Sequence, residues 1–133
     1  MTTSEAREQA FILLFEKSFN NEASAEDLYV TAVNEEVIKD NNYTNTLFNE
    51  TCNKLEAIDI YISKFLKDRR FDRISKVSLA VLRLAVCEIR YFDKVPVGVA
   101  INEAVNLCKK YGSDDEYAFV NGILGSFAKE EEK

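Results

Sequence analysis

The stretch VSLAVLRLAVCEIRY, from Val77 to Tyr91, decides the fold. Leu79, Leu82, Val86 and Ile89 step by three or four residues, and Ala80, Val81 and Ala85 fill the gaps. That step is the period of an α-helix. A helix that is apolar on most of its circumference is one buried on most sides. The spacing predicts a central helix with other helices packed around it.

Similar spacing appears on both sides of this stretch. Ala6, Ala10, Leu13 and Leu14 share one face of an N-terminal helix. Phe48, Cys52, Leu55, Ile58, Ile62 and Phe65 continue the pattern, which predicts one amphipathic helix of about 20 residues. Between Tyr29 and Ile38 the steps from Val30 to Val37 favour helix over strand. Pro96 excludes a helix interior, so one helix ends before it and another begins after it. Gly112 follows Lys109 and Lys110 and suits a left-handed residue after a helix end. Ser113 to Glu116 reads as a capping box, with the last helix running from Asp114 to Ala128 and packing through Phe119, Val120, Ile123, Leu124 and Phe127. Asn20 to Ser24 and Asp40 to Thr44 read as polar loops, and Lys129 to Lys133 as a solvated tail. The expectation is an all-α chain with about seven helices and no strand.

Composition narrows the function. The chain has 133 residues, of which 47% are hydrophobic, enough for one packed domain. It contains no His, which removes His-based catalysis and His-containing metal sites. Four Gly and one Pro leave no glycine-rich phosphate loop. Cys52, Cys87 and Cys108 form no CxxC pair, so neither a disulfide scaffold nor a thiolate zinc site is indicated. No cofactor is expected. Met1 to Arg7 has no apolar signal core, and no run is long and apolar enough for a membrane span, so a cytoplasmic protein is expected.

The net charge of −6 argues against a broad grip on nucleic acid. The charge is uneven, however. Between Lys64 and Arg90, eight basic residues face three acidic ones, a local +5 that leaves −11 for the rest. Such a run is usually a solvated face; alternatively it contacts an acidic partner or RNA phosphates.

Three blocks, AVLRLAVCEI (80–89), VPVGVAINEAVNLCKKYG (95–112) and FVNGIL (119–124), stand in the order and spacing of one family, and AREQA (6–10) with Leu14-Phe15 matches its opening helix. The chain resembles the NusB family of transcription antitermination factors. The resemblance is strong over residues 71–128, fair over 5–16 and weak between 20 and 70. It implies two antiparallel helical sub-bundles, approximately 1–70 and 71–133, within a single domain. It also implies binding to boxA-type RNA of nascent ribosomal transcripts, together with the NusE ribosomal protein and, through it, the RNA polymerase elongation complex. Some members form homodimers when RNA is absent.

The same resemblance implies roles for individual residues. Arg7, Lys109, Lys110, Asp115 and Phe119 are the expected RNA contacts, and Phe15 and Glu88 the expected partner contacts. An arginine fork suits phosphate or guanine, and a flat ring can stack on an unpaired base. Each has a plain structural alternative: an exposed arginine, helix-end lysines, an acid at a helix N-terminus, or core packing for Phe15 and Phe119. Arg83 is expected to pair with Glu103 or Glu88, and Cys87 to be a buried thiol. Members often carry several arginines before the first helix; here Thr3, Ser4 and Glu5 occupy those positions. RNA binding weaker than a typical member's, and more dependent on the protein partner, is therefore expected. Two other readings remain: a helical protein–protein adaptor or homodimeric module without selective RNA binding, and an accessory module like the one that precedes the catalytic domain of some RNA cytosine-C5 methyltransferases.

Overall fold

A computed structural model describes residues 1–132; Lys133, the end of the expected tail, lies outside them. The described residues form seven α-helices and one 3-10 turn, with no strand. The helices are α1 (Thr3–Lys17), α2 (Ala25–Asn34), α3 (Asn42–Asn53), α4 (Leu55–Ser63), α5 (Lys76–Tyr91), α6 (Val97–Tyr111) and α7 (Glu116–Glu131).

Helix α5 is the hub, packing on α1, α3, α4, α6 and α7. Its Val81, Leu82, Leu84 and Val86 are buried, each contributing roughly 1.5–3 kcal/mol relative to exposure. The Ser75 hydroxyl caps it by accepting the Ser78 N–H at 3.1 Å. Helices α1 to α3 pack on one another, and α5 to α7 do likewise. Helix α4 packs on α3, α5 and α7, so it touches both groups. Phe48, Leu47, Ile58, Ile62, Leu124 and Phe127 join both groups into one core.

Several local expectations are corrected. The run from Phe48 to Phe65 is two helices rather than one, broken at Lys54. Thr51 donates its hydroxyl to the Leu47 carbonyl at 2.7 Å, a back-bond that bends helices, and Asn53 and Lys54 follow it. Helix α2 stops at Asn34, where Glu36 takes a left-handed φ of 62° and the Val37 and Ile38 N–H groups return to the Ala32 carbonyl. Val30 and Val37, whose spacing suggested helix, are both exposed; Tyr29 and Ala32 are the buried positions. Helix α3 begins inside the expected polar loop, capped by Asn41.

Gly112 is extended, with φ −103° and ψ −176°, and not left-handed. It is needed for closeness instead: a Cβ there would sit 2.9 Å from the Cys108 carbonyl. Only half of the capping box at Ser113 forms. The Ser113 N–H reaches Glu116 Oε2 at 2.6 Å, while the Ser113 hydroxyl donates to Asp115 and Glu116 rather than accepting. Helix α7 extends to Glu131 through most of the expected tail.

Candidate functional site

Helix α1 lies antiparallel to α5, so its two ends meet different surroundings. At its N-terminal end, the Thr2 hydroxyl accepts the Glu5 N–H and the Glu5 carboxylate accepts the Thr2 N–H, a complete capping box. One turn on, Arg7 points inward. Its side chain is only 7% exposed. Its Nε donates to both Glu88 oxygens at 2.8 and 2.9 Å, and one terminal nitrogen donates to Glu103 at 3.0 Å. The Tyr43 hydroxyl also donates to Glu88, and the Tyr43 ring lies 5.7 Å from the guanidinium. Burial works against the Arg7 charge, but Glu88 outweighs it and holds the guanidinium firmly protonated. Burial pushes the Glu88 carboxyl above the usual carboxylate range, while Tyr43 and Arg7 pull it back.

This arrangement corrects three expectations. Arg7 is not an exposed arginine: its side chain is buried, and its Nε and one terminal nitrogen bond two carboxylates. Glu88 is 2% exposed and its oxygens are occupied, so it presents no free acceptor to a partner. Arg83 pairs with neither Glu103 nor Glu88; it makes a two-point bond to Asp59 at 2.9 and 2.8 Å. Beside the Arg7 cluster, Tyr43 lines an open groove of about 590 Å³, with Lys54, Tyr91, Phe92 and Val95 among its walls. Phe15 lies two turns of α1 beyond Arg7, roughly 12 Å along the axis. Its ring packs between Phe11 and Phe19 at centroid separations of 6.0 and 5.1 Å.

At the other end of α1, aromatic rings and cations lie together. Lys76, opening α5, sits 4.9 Å from the ring of exposed Phe19 and reaches the Ser18 carbonyl. The segment between α4 and α5 runs back along α7. Lys64 meets Glu130 near the C-terminal end of α7, Arg69 covers Phe119, and Ser75 bonds Glu116 at its start. Glu116 also accepts from Ser78 at 3.1 Å. Burial opposes its charge, but bonds from Ser75, the Ser113 backbone and Ser78 outweigh it and hold its pKa below the usual range.

Three of the expected RNA contacts lie between the end of α6 and the first turn of α7. Phe119 is half-buried, with its outer face under Arg69. Asp115 is exposed at the start of α7. Lys109 lies 4.8 Å from the Tyr117 ring. Lys110 turns to Glu8 at 2.6 Å, beside Tyr111, which also donates to Glu8. That ion pair lowers the Glu8 pKa and raises that of Lys110.

The basic window resolves into two kinds of residue. Lys64, Arg70, Arg83 and Arg90 have carboxylate partners. Lys67, Arg69, Arg73 and Lys76 make no ion pair among the described residues. Sequence reasoning noted the excess of charge but singled out none of these residues. The available signal was local: between Lys67 and Lys76 five cations meet two acids, with Phe71 among them.

Cys87 is buried, as expected, and burial pushes its thiol up to about 12; half-buried Cys52 is pushed up to about 11. Among the described residues, no cluster of acids and thiols could hold a metal ion, and no helix is long and apolar enough to cross a membrane.

Comparison with known proteins gives a consistent picture. A family model described as the NusB family matches residues 4–129. The chain is 40% identical to the transcription antitermination protein NusB of Natranaerobius thermophilus, covering 98% of this chain and 96% of that relative. It is 38% identical to its counterpart in Clostridium novyi, over 97% and 99%. Among solved structures it is similar to NusB in a crystal structure of the antitermination factors NusB and NusE with double-stranded RNA, with TM-score 0.85, 30% identity and 96% coverage of each chain. It is also similar to the solution structure of NusB from Aquifex aeolicus, with TM-score 0.81, 31% identity, and 97% and 89% coverage.

Proposed function

Since this chain belongs to the NusB family, we propose that it is an RNA-binding transcription antitermination factor that engages boxA-type RNA together with the NusE ribosomal protein. In that role it joins the RNA polymerase elongation complex indirectly, in the cytoplasm. In this reading it supplies no catalytic group; its relatives are named transcription antitermination proteins. The observation that carries the reading is the match to the NusB family over residues 4–129, which takes in Lys109, Asp115 and the block FVNGIL.

We assign the RNA to the start of α7 and the protein partner to the groove beside Tyr43. Glu88 fixes the Tyr43 hydroxyl from behind and acts there as a positioning residue. Arg7 keeps the N-terminal helix docked and is not an RNA ligand. With a capping box at Thr2–Glu5 in place of surface arginines, affinity for RNA alone is low and the partner raises it.

Fluorescence anisotropy with boxA-type and scrambled RNA, with and without NusE, tests the proposal. Selective binding that tightens with NusE is the expected result. Equal, weak binding to both RNAs with NusE present would overturn it and leave an adaptor module.

A further inference from the structure

Four cations of the basic window have no carboxylate partner among the described residues, and they lie together. Lys67, Arg69, Arg73 and Lys76 all lie in the segment joining α4 to α5 and in the first residue of α5, and all are exposed. The acids within that stretch are Asp68 and Asp72, and Asp72 is held by Arg70 at 2.7 Å. Asp114 and Asp115 lie nearby at the start of α7, and Ser113 bonds one oxygen of Asp115. The segment keeps a net positive charge in a chain that is negative overall.

One of these cations is also shaped for a purpose. The Arg69 guanidinium carbon sits 4.1 Å above the Phe119 ring centroid. Phe119 packs on the core, so the ring against which the guanidinium rests is anchored. Arg69 itself is exposed. A planar cation backed by a ring is a platform for an unpaired base, since bases stack on arginine planes as well as on rings. Lys76 beside exposed Phe19 repeats the pairing of cation and ring at the far end of the segment.

We infer that the α4–α5 segment is a single-stranded RNA track, in which Arg69, backed by Phe119, stacks a base while Lys67, Arg73 and Lys76 hold the flanking phosphates. The inference rests on the proposed function and deepens it. It places the stacking surface on Arg69, because in this structure Arg69 covers the outer face of Phe119. An acidic protein would use the charges but not the ring-backed guanidinium, whereas RNA uses both.

The test compares the wild type with Arg69→Gln/Arg73→Gln/Lys76→Gln, with Arg69→Lys, and with a control, Lys39→Gln/Lys129→Gln. Each is titrated with boxA-type RNA in the presence of NusE at several salt concentrations, and NusE binding is measured separately. Thermal melts verify folding. The triple variant is expected to lose about 10- to 50-fold in RNA affinity, and its salt slope to fall by about 1.4, at roughly 0.7 for each of the two phosphate ligands removed. Arg69→Lys keeps most of the slope and loses about 5- to 10-fold, through stacking. The control matches the wild type. If the wild type binds selectively and the triple variant binds equally well, the track is refuted and the proposed function stands. If the triple variant keeps RNA but loses NusE, the segment is a protein surface and the track is refuted. If the wild type binds no RNA even with NusE, both readings fall.

Discussion

Replacing Arg7 with alanine separates a structural arginine from a ligand-binding one. Arg7 lies between two carboxylates, with a side chain 7% exposed against 2% for Glu88 and 20% for Glu103. Its removal leaves Glu88 buried with the Tyr43 hydroxyl as its only strong remaining donor. Breaking a buried ion pair by deleting one partner typically costs about 3–5 kcal/mol, because the surviving charge is uncompensated. A chain of this size loses about 3–5 °C per kcal/mol, so Tm should fall by roughly 10–20 °C. Urea denaturation followed by circular dichroism measures the loss. Replacing Arg7 and Glu88 together by leucines removes both charges and should recover much of the stability, as apolar replacements of buried pairs often do. If Arg7→Ala kept its stability within about 1 kcal/mol and lost RNA affinity instead, the assignment of Arg7 to the interior would be wrong.

Gly112→Ala should destabilise the protein by about 1 kcal/mol or more, since the new Cβ crowds the Cys108 carbonyl at 2.9 Å and only backbone movement relieves it; the urea midpoint reads this directly. Glu116 has a lowered pKa in the folded state, so its contribution is full above the unfolded glutamate pKa of roughly 4.3 and is lost as pH falls through the lower folded value. Glu116→Gln should therefore flatten the drop in Tm below that pH. The Cys52 thiol, pushed up to about 11, should be about a thousandth ionised at pH 8; Ellman's reagent should react with the native protein far more slowly than with the urea-unfolded chain.

Sequence periodicity located α5 to within a residue at its start, and Pro96 marked the start of α6 as expected. Both are local signals, one of hydrophobic spacing and one of missing backbone N–H. The break at Lys54 was hidden because the apolar steps carry across it; the bend comes from Thr51 and from packing against two different neighbours. Val30 and Val37 misled for the converse reason: their spacing was helical, but the buried positions of α2 were others. Arg7 shows the limit most clearly. It shares its face with Phe11 and Leu14, four and seven residues on, so its burial was written in the helical period; its charge and the family likeness drew the reading outward. The Arg69–Phe119 contact joins residues fifty apart. Nothing local marks it, since which cations have carboxylate partners is decided by the tertiary fold.

The central claim is that RNA binds at the end of the bundle where α5 and α7 begin, and not along the N-terminal half of α1. Amide chemical-shift mapping with boxA-type RNA in the presence of NusE tests this most directly. The account predicts the largest RNA-induced changes at Lys67–Lys76, Asp115–Val120 and Phe19, with Thr3–Ala10 little moved. Changes confined to Thr3–Ala10, with the α4–α5 segment and the start of α7 unmoved, would contradict it.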